Sequence, residues 1–184
     1  MGADGGLGAA LRRGVTRTDT AVMFVNRWLM ILALAVMAVF VFVGVALRYL
    51  SNGTLVWAEE SSRYIMVWLA FIGIGPVLRV GGHVAVDSLV AAVSLPLQRA
   101  LRLVVALIVA GCTLWLLYAG WAYVARSWYQ TTPVLGMPFA LVALAAPVGF
   151  ALCLWHLFMM AGRFVAWGTF DSSDDLSPEQ APTA

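Results

Sequence analysis

The chain has 184 residues, of which 62% are hydrophobic and only 11% charged, and its mean hydropathy is +0.91. A water-soluble domain carries about a quarter of its residues as charges, so a soluble globular enzyme is excluded, and a disordered chain would be poor in apolar residues. What remains is an integral membrane protein whose obligatory partner is the lipid bilayer. All 11 basic residues are Arg, and the net charge of +2 comes without a basic patch interleaved with aromatics, so no nucleic acid partner is expected.

In chain order, residues 1–21 read as a cytoplasmic N-terminal segment carrying Arg12, Arg13 and Arg17. Trp28 to Leu47 is then 20 residues without a charge, between Arg27 and Arg48. At about 1.5 Å per residue that is about 30 Å, the thickness of a bilayer core, and a first span over about 24–48 follows. The run is too long for a signal-peptide core of about 7–15 residues and ends without a small-residue cleavage site, so it reads as an uncleaved helix.

The second span is less plain. Tyr64 to Leu78 gives only 15 uncharged residues, too few to cross, so the helix must extend over about 57–80. Glu59, Glu60 and Arg63 then fall in its first two turns and Arg79 at its last, an arrangement that suits the helix dipole. After it, Asp87 can cap a short interfacial helix over about 87–94, with Leu89, Val90 and Val93 on its apolar side. Pro96 fits the first turn of a third helix.

Leu103 to Ala125 is 23 uncharged residues and predicts a third span over about 98–126. Pro133, Gly136 and Pro138 mark a turn before a fourth span over about 139–163. The expected fold is therefore an all-α membrane protein: four transmembrane helices in a membrane domain over 22–168, a short cytoplasmic interfacial helix, and a disordered cytoplasmic tail over 169–184. Eight Arg fall on the side of the N-terminus and three on the other, which places both termini in the cytoplasm of a bacterial inner membrane.

Chemistry-bearing residues are few. No Asp, Glu, Lys or Arg lies in the middle of any span, as an ion-coupled transporter would need. Cys112 and Cys153 sit in apolar runs and read as small apolar side chains. His156 lies inside the fourth span, where an interhelical hydrogen bond is the simpler reading and a proton relay or haem ligand the other. His83 follows Gly81 and Gly82 and reads as a loop residue. No zinc, haem or phosphate-loop motif accompanies either histidine, so no metal or cofactor is expected. Small residues at helix-packing spacing occur at Ala106/Ala110 and Ala145/Gly149. The densest polar group is Trp57, Glu59, Glu60, Arg63 and Tyr64. On a helix Arg63 can reach Glu59 at i,i+4 or Glu60 at i,i+3, and Glu60 can reach Tyr64. Such a group is either a solvated helix end or a polar contact to a partner subunit.

Three segments together resemble one family. These are RYLSNGTLVWAEESSRYIMVWLAFIG, LRVGGHVAVDSLV and TTPVLGMPFALVALAAPVGFAL, and the family is the small membrane subunit, DctQ type, of tripartite ATP-independent periplasmic (TRAP) transporters. The resemblance falls on Arg48 and Tyr49; on Trp57, Glu59, Glu60, Arg63 and Tyr64; on Arg79, Gly81, His83, Val84, Val86 and Asp87; and on Thr132, Pro133, Leu135, Gly136, Pro138, Pro147 and Gly149. It runs from about residue 25 to 165. Ala143 departs from it, where the family often has Tyr. The resemblance implies a subunit that is not an enzyme and does not transport alone. It implies a large membrane subunit of DctM type holding the substrate and sodium sites, and a periplasmic substrate-binding protein of DctP type delivering organic acids such as C4-dicarboxylates. The competing reading from the residues is a haem- or quinone-binding anchor of a membrane oxidoreductase.

Overall fold

A computed structural model of the chain describes residues 4–51, 53, 55–79 and 94–167. The described residues form α1 (Asp4–Ser51), α2 (Val56–Arg79), α3 (Leu95–Ser127), α4 (Ala140–Ala143) and α5 (Ala145–Trp167). In apolar surroundings each backbone N–H and C=O must be satisfied within its own segment, and long helices do this. Four helical stretches are long and apolar enough to cross a membrane: Arg17–Leu50, Val56–Arg79, Leu95–Ser127 and Ala140–Gly162. The chain is thus a multi-pass, all-α membrane protein. Most of the proposed interfacial helix (87–93), and with it His83 and Asp87, lies outside the described residues, as does the tail over 169–184.

The chain divides into two units, Met1–Leu69 and Ala70–Ala184. In the first, α1 runs for 48 residues, about 72 Å of helix. Sequence reading set residues 1–21 apart as a segment before the first span; from Asp4 on they are part of the same helix. No proline precedes Pro76, and Ala9, Ala10, Leu11, Arg12 and Arg13 are strong helix formers, so nothing local ends the helix before the apolar stretch begins. None of the most apolar stretch of α1 is buried within the chain, so that stretch meets lipid or another protein.

In the second unit, α3 packs chiefly along α5 and also against α4. One core cluster joins Leu78, Ala106, Cys153, Leu157, Met160 and Phe164, and a second joins Val124, Ala140 and Ala143. Phe71 meets Phe150 edge to face, with ring centroids 5.6 Å apart. Thr113 Oγ donates to the Val109 carbonyl at 2.7 Å and Ser127 Oγ to Tyr123 at 2.8 Å, so these hydroxyls are satisfied within α3. The break between α4 and α5 follows from Pro147. It has no N–H to give the Ala143 carbonyl, so the ladder lapses there although Leu144 keeps helical angles.

Candidate functional site: a polar rim and a closed turn

The rim is built where the end of α1 meets the start of α2. Trp57 sets its ring against Phe40 of α1 at 5.6 Å and an interplanar angle of 79°, which seats the first turn of α2. Arg48, in the last turn of α1, then donates through Nη2 to Oε1 of Glu59, in the first turn of α2. Both side chains are about half exposed, at 56% and 51%. Beneath the pair a cavity of about 150 Å³ is lined by Phe40, Val41, Gly44, Val45, Arg48, Glu59 and Ser62.

Glu60, by contrast, is buried. It is 3% exposed, and its Oε1 accepts the Tyr64 hydroxyl at 2.6 Å. Ser61 Oγ donates to the Trp57 carbonyl at 2.7 Å and Ser62 Oγ to Ala58 at 2.8 Å. Sequence spacing allowed Arg63 to pair with either carboxylate along α2. Instead Glu59 is taken across the helix pair by Arg48, and Arg63 stays exposed. Tyr49 is directed outward, 83% exposed.

The turn before α4 lies in the second unit. Thr132 N–H donates to the Met137 carbonyl at 2.9 Å, Met137 N–H to Thr132 Oγ1 at 3.1 Å, and Gly136 N–H to the Thr132 carbonyl at 3.2 Å. Phe139 N–H closes the ends through the Gln130 carbonyl at 2.8 Å. Gly136 has φ 65, a left-handed conformation that only Gly adopts without strain. The Pro138 carbonyl accepts from Leu141 N–H at 3.1 Å as α4 begins. The turn is thus a stiff, self-satisfied element. Sequence reading named Gly136 and Pro138; it gave Thr132 no role of its own, although its hydroxyl is what ties Met137 back.

Deeper in that unit, Pro147 is fully buried and lies 3.3 Å from where a Cβ on Gly120 would sit. Gly149 lets α5 approach the Phe71 backbone, where an added Cβ would come to 2.5 Å from the carbonyl oxygen. His156 is fully buried, and its imidazole occupies the space a Cβ on Gly75 would take. The spacing of residues within one helix could not reveal this pairing between α2 and α5. Arg79, in the last turn of α2, is 4% exposed. Among the described residues no group of three or more His, Cys, Asp or Glu could hold a metal ion.

These features orient and lock helices. Residues 37–166 match the family model of the tripartite ATP-independent periplasmic transporters, DctQ component. The chain belongs to the DctQ family. The matched region runs from the middle of α1 almost to the end of α5, taking in both the rim and the turn. A putative TRAP transporter small permease protein of Haemophilus influenzae is 30% identical over 128 residues, covering 68% of this chain and 80% of that one. The C4-dicarboxylate TRAP transporter small permease protein DctQ of Pseudomonas aeruginosa is 34% identical over 107 residues, 52% of this chain and 48% of its own length. The ectoine TRAP transporter small permease protein TeaB of Halomonas elongata is 25% identical over 136 residues, 73% of this chain and 70% of that one. This DctQ-family chain is therefore akin to transporter subunits, not to enzymes, and its relatives carry the names of different substrates.

Proposed function

We propose that this chain is the small permease subunit of a sodium-driven, binding-protein-dependent TRAP importer of organic acids such as C4-dicarboxylates. It serves as a static scaffold for a large membrane subunit of DctM type, while a periplasmic protein of DctP type delivers the substrate. It lies in the bacterial inner membrane with both termini cytoplasmic. The observation that carries the reading is where the charges lie. No Asp, Glu, Lys or Arg falls in the middle of any spanning helix, and two of the rim's ionisable side chains, Arg48 and Glu59, are engaged in joining α1 to α2. Charged side chains within spanning helices mark ion and proton pathways, and this chain offers none at the midplane. Its relatives include an ectoine as well as a C4-dicarboxylate protein, which fits a subunit that leaves substrate choice to its partners.

The test is reconstitution. The large subunit and binding protein, with and without this chain, are placed in proteoliposomes and assayed for sodium-dependent uptake of labelled succinate, malate and other organic acids. Uptake is expected only with all three proteins present, and this chain alone should move nothing. Uptake by this chain alone, or full uptake without it, would overturn the scaffold reading.

A further inference from the structure

α2 is the least apolar of the four spanning helices, and it carries Glu59, Glu60 and Arg63 in its first two turns. The fold answers two of these charges: Glu59 pairs with Arg48 of α1, and Glu60 is buried and accepts the Tyr64 hydroxyl. Arg63 is exposed, and among the described residues the structure records no ion pair or hydrogen bond for it. It is seven residues past Val56, about 10 Å into the helix. A charge at the edge of the hydrocarbon is costly unless an opposite charge or polar surface meets it.

Its neighbours on the helix say what kind of surface that is. Val56, Glu59, Arg63 and Met66 follow one another at spacings of three, four and three, so they form a single stripe, and all four are exposed. Ala58, Glu60 and Ser62, which flank this stripe, are buried. A stripe at this spacing is what a neighbouring helix packs against. We propose that the outer half of α2 lies against a membrane-embedded helix of the large subunit, which supplies a carboxylate to Arg63. This rests on the assembly reading above and assigns it a face and a charge pair.

A lipid phosphate is the other anion available at this depth. It fits the stripe poorly, because Val56 is exposed two turns nearer the helix end than Arg63, at headgroup level, where lipid offers no apolar surface to cover it. A protein helix can place its acid opposite Arg63 and a neutral or donor side chain opposite Glu59, with apolar side chains around Met66.

The experiment uses the co-expressed importer. With the parental chain tagged, the large subunit is expected to co-purify. Arg63→Glu should lower its recovery at least tenfold, and Arg63→Lys should keep most of it. Separately, p-benzoylphenylalanine replacing Met66 in an otherwise parental chain should yield, on irradiation, an adduct with the large subunit. That arm decides the matter where Arg63→Glu does not insert. Parental recovery with Arg63→Glu would overturn the inference, as would an adduct at position 66 with lipid or the binding protein alone. If even the parental chain brings down no large subunit, it is the assembly reading that fails.

Discussion

At the scale of single residues, the tightest constraint is the approach of Gly75 to His156. The imidazole sits where any side chain at position 75 would begin, and it is wholly buried, so it cannot swing out into open space. Overpacking of a close-packed site costs about 1–3 kcal/mol. Gly75→Ala is therefore expected to lower the thermal unfolding temperature of the detergent-solubilised protein distinctly. Gly44→Ala should leave it nearly unchanged, because nothing lies within 4 Å of where its Cβ would be. Equal melting of the two variants would show that α2 and α5 are not held this closely. The same scale shows a limit of reading spacing along one helix. Glu59, Glu60, Arg63 and Tyr64 were legible as a polar group, and the Glu60–Tyr64 contact formed at its i,i+4 spacing. Which carboxylate Arg48 takes was not legible, because that depends on how the end of α1 meets the first turn of α2.

At the scale of elements, the turn over residues 130–139 holds itself together before α4 and α5 begin. Its hinge is Gly136 at φ 65, and its internal tie is the Thr132 hydroxyl. A side chain in the left-handed region costs about 1–2 kcal/mol, more for a β-branched residue. Gly136→Val should thus destabilise the protein more than Gly136→Asn, since Asn tolerates this conformation. Thr132→Val removes one hydrogen bond worth about 0.5–1.5 kcal/mol. Unfolding midpoints in the order parent, Gly136→Asn, Gly136→Val are the expected result, and a Val variant as stable as the Asn one would show that the turn adopts another conformation in the membrane. The proline and glycine punctuation made this turn readable from sequence. The break at Leu144 was not separately anticipated, because Pro147 lies inside what reads as one apolar run.

At the scale of the whole molecule, the expected outcome is four crossings with both termini cytoplasmic. The motive is the split of eight Arg against three between the two sides. Alkaline phosphatase fused after Gly53 or after Thr131 should be active, as a periplasmic reporter is, and a fusion after Ser94 should be inactive. An inactive fusion at Gly53 with an active one at Ser94 would invert the orientation, and would move the rim of Arg48 and Glu59 to the cytoplasmic face.

The sequence by itself determined the membrane class and the four apolar stretches, because the bilayer core imposes a length and a composition that can be counted along the chain. It also determined the family, through short segments whose order and spacing carry the resemblance. Tertiary structure alone decided which polar side chains meet across helices. Arg48 turned Glu59 toward α1. His156 found the open face of Gly75. In a chain with so few charges, each pairing depends on which helix ends and faces come within a few ångströms of one another. That is a property of packing between segments distant in sequence, and periodicity within one segment does not contain it.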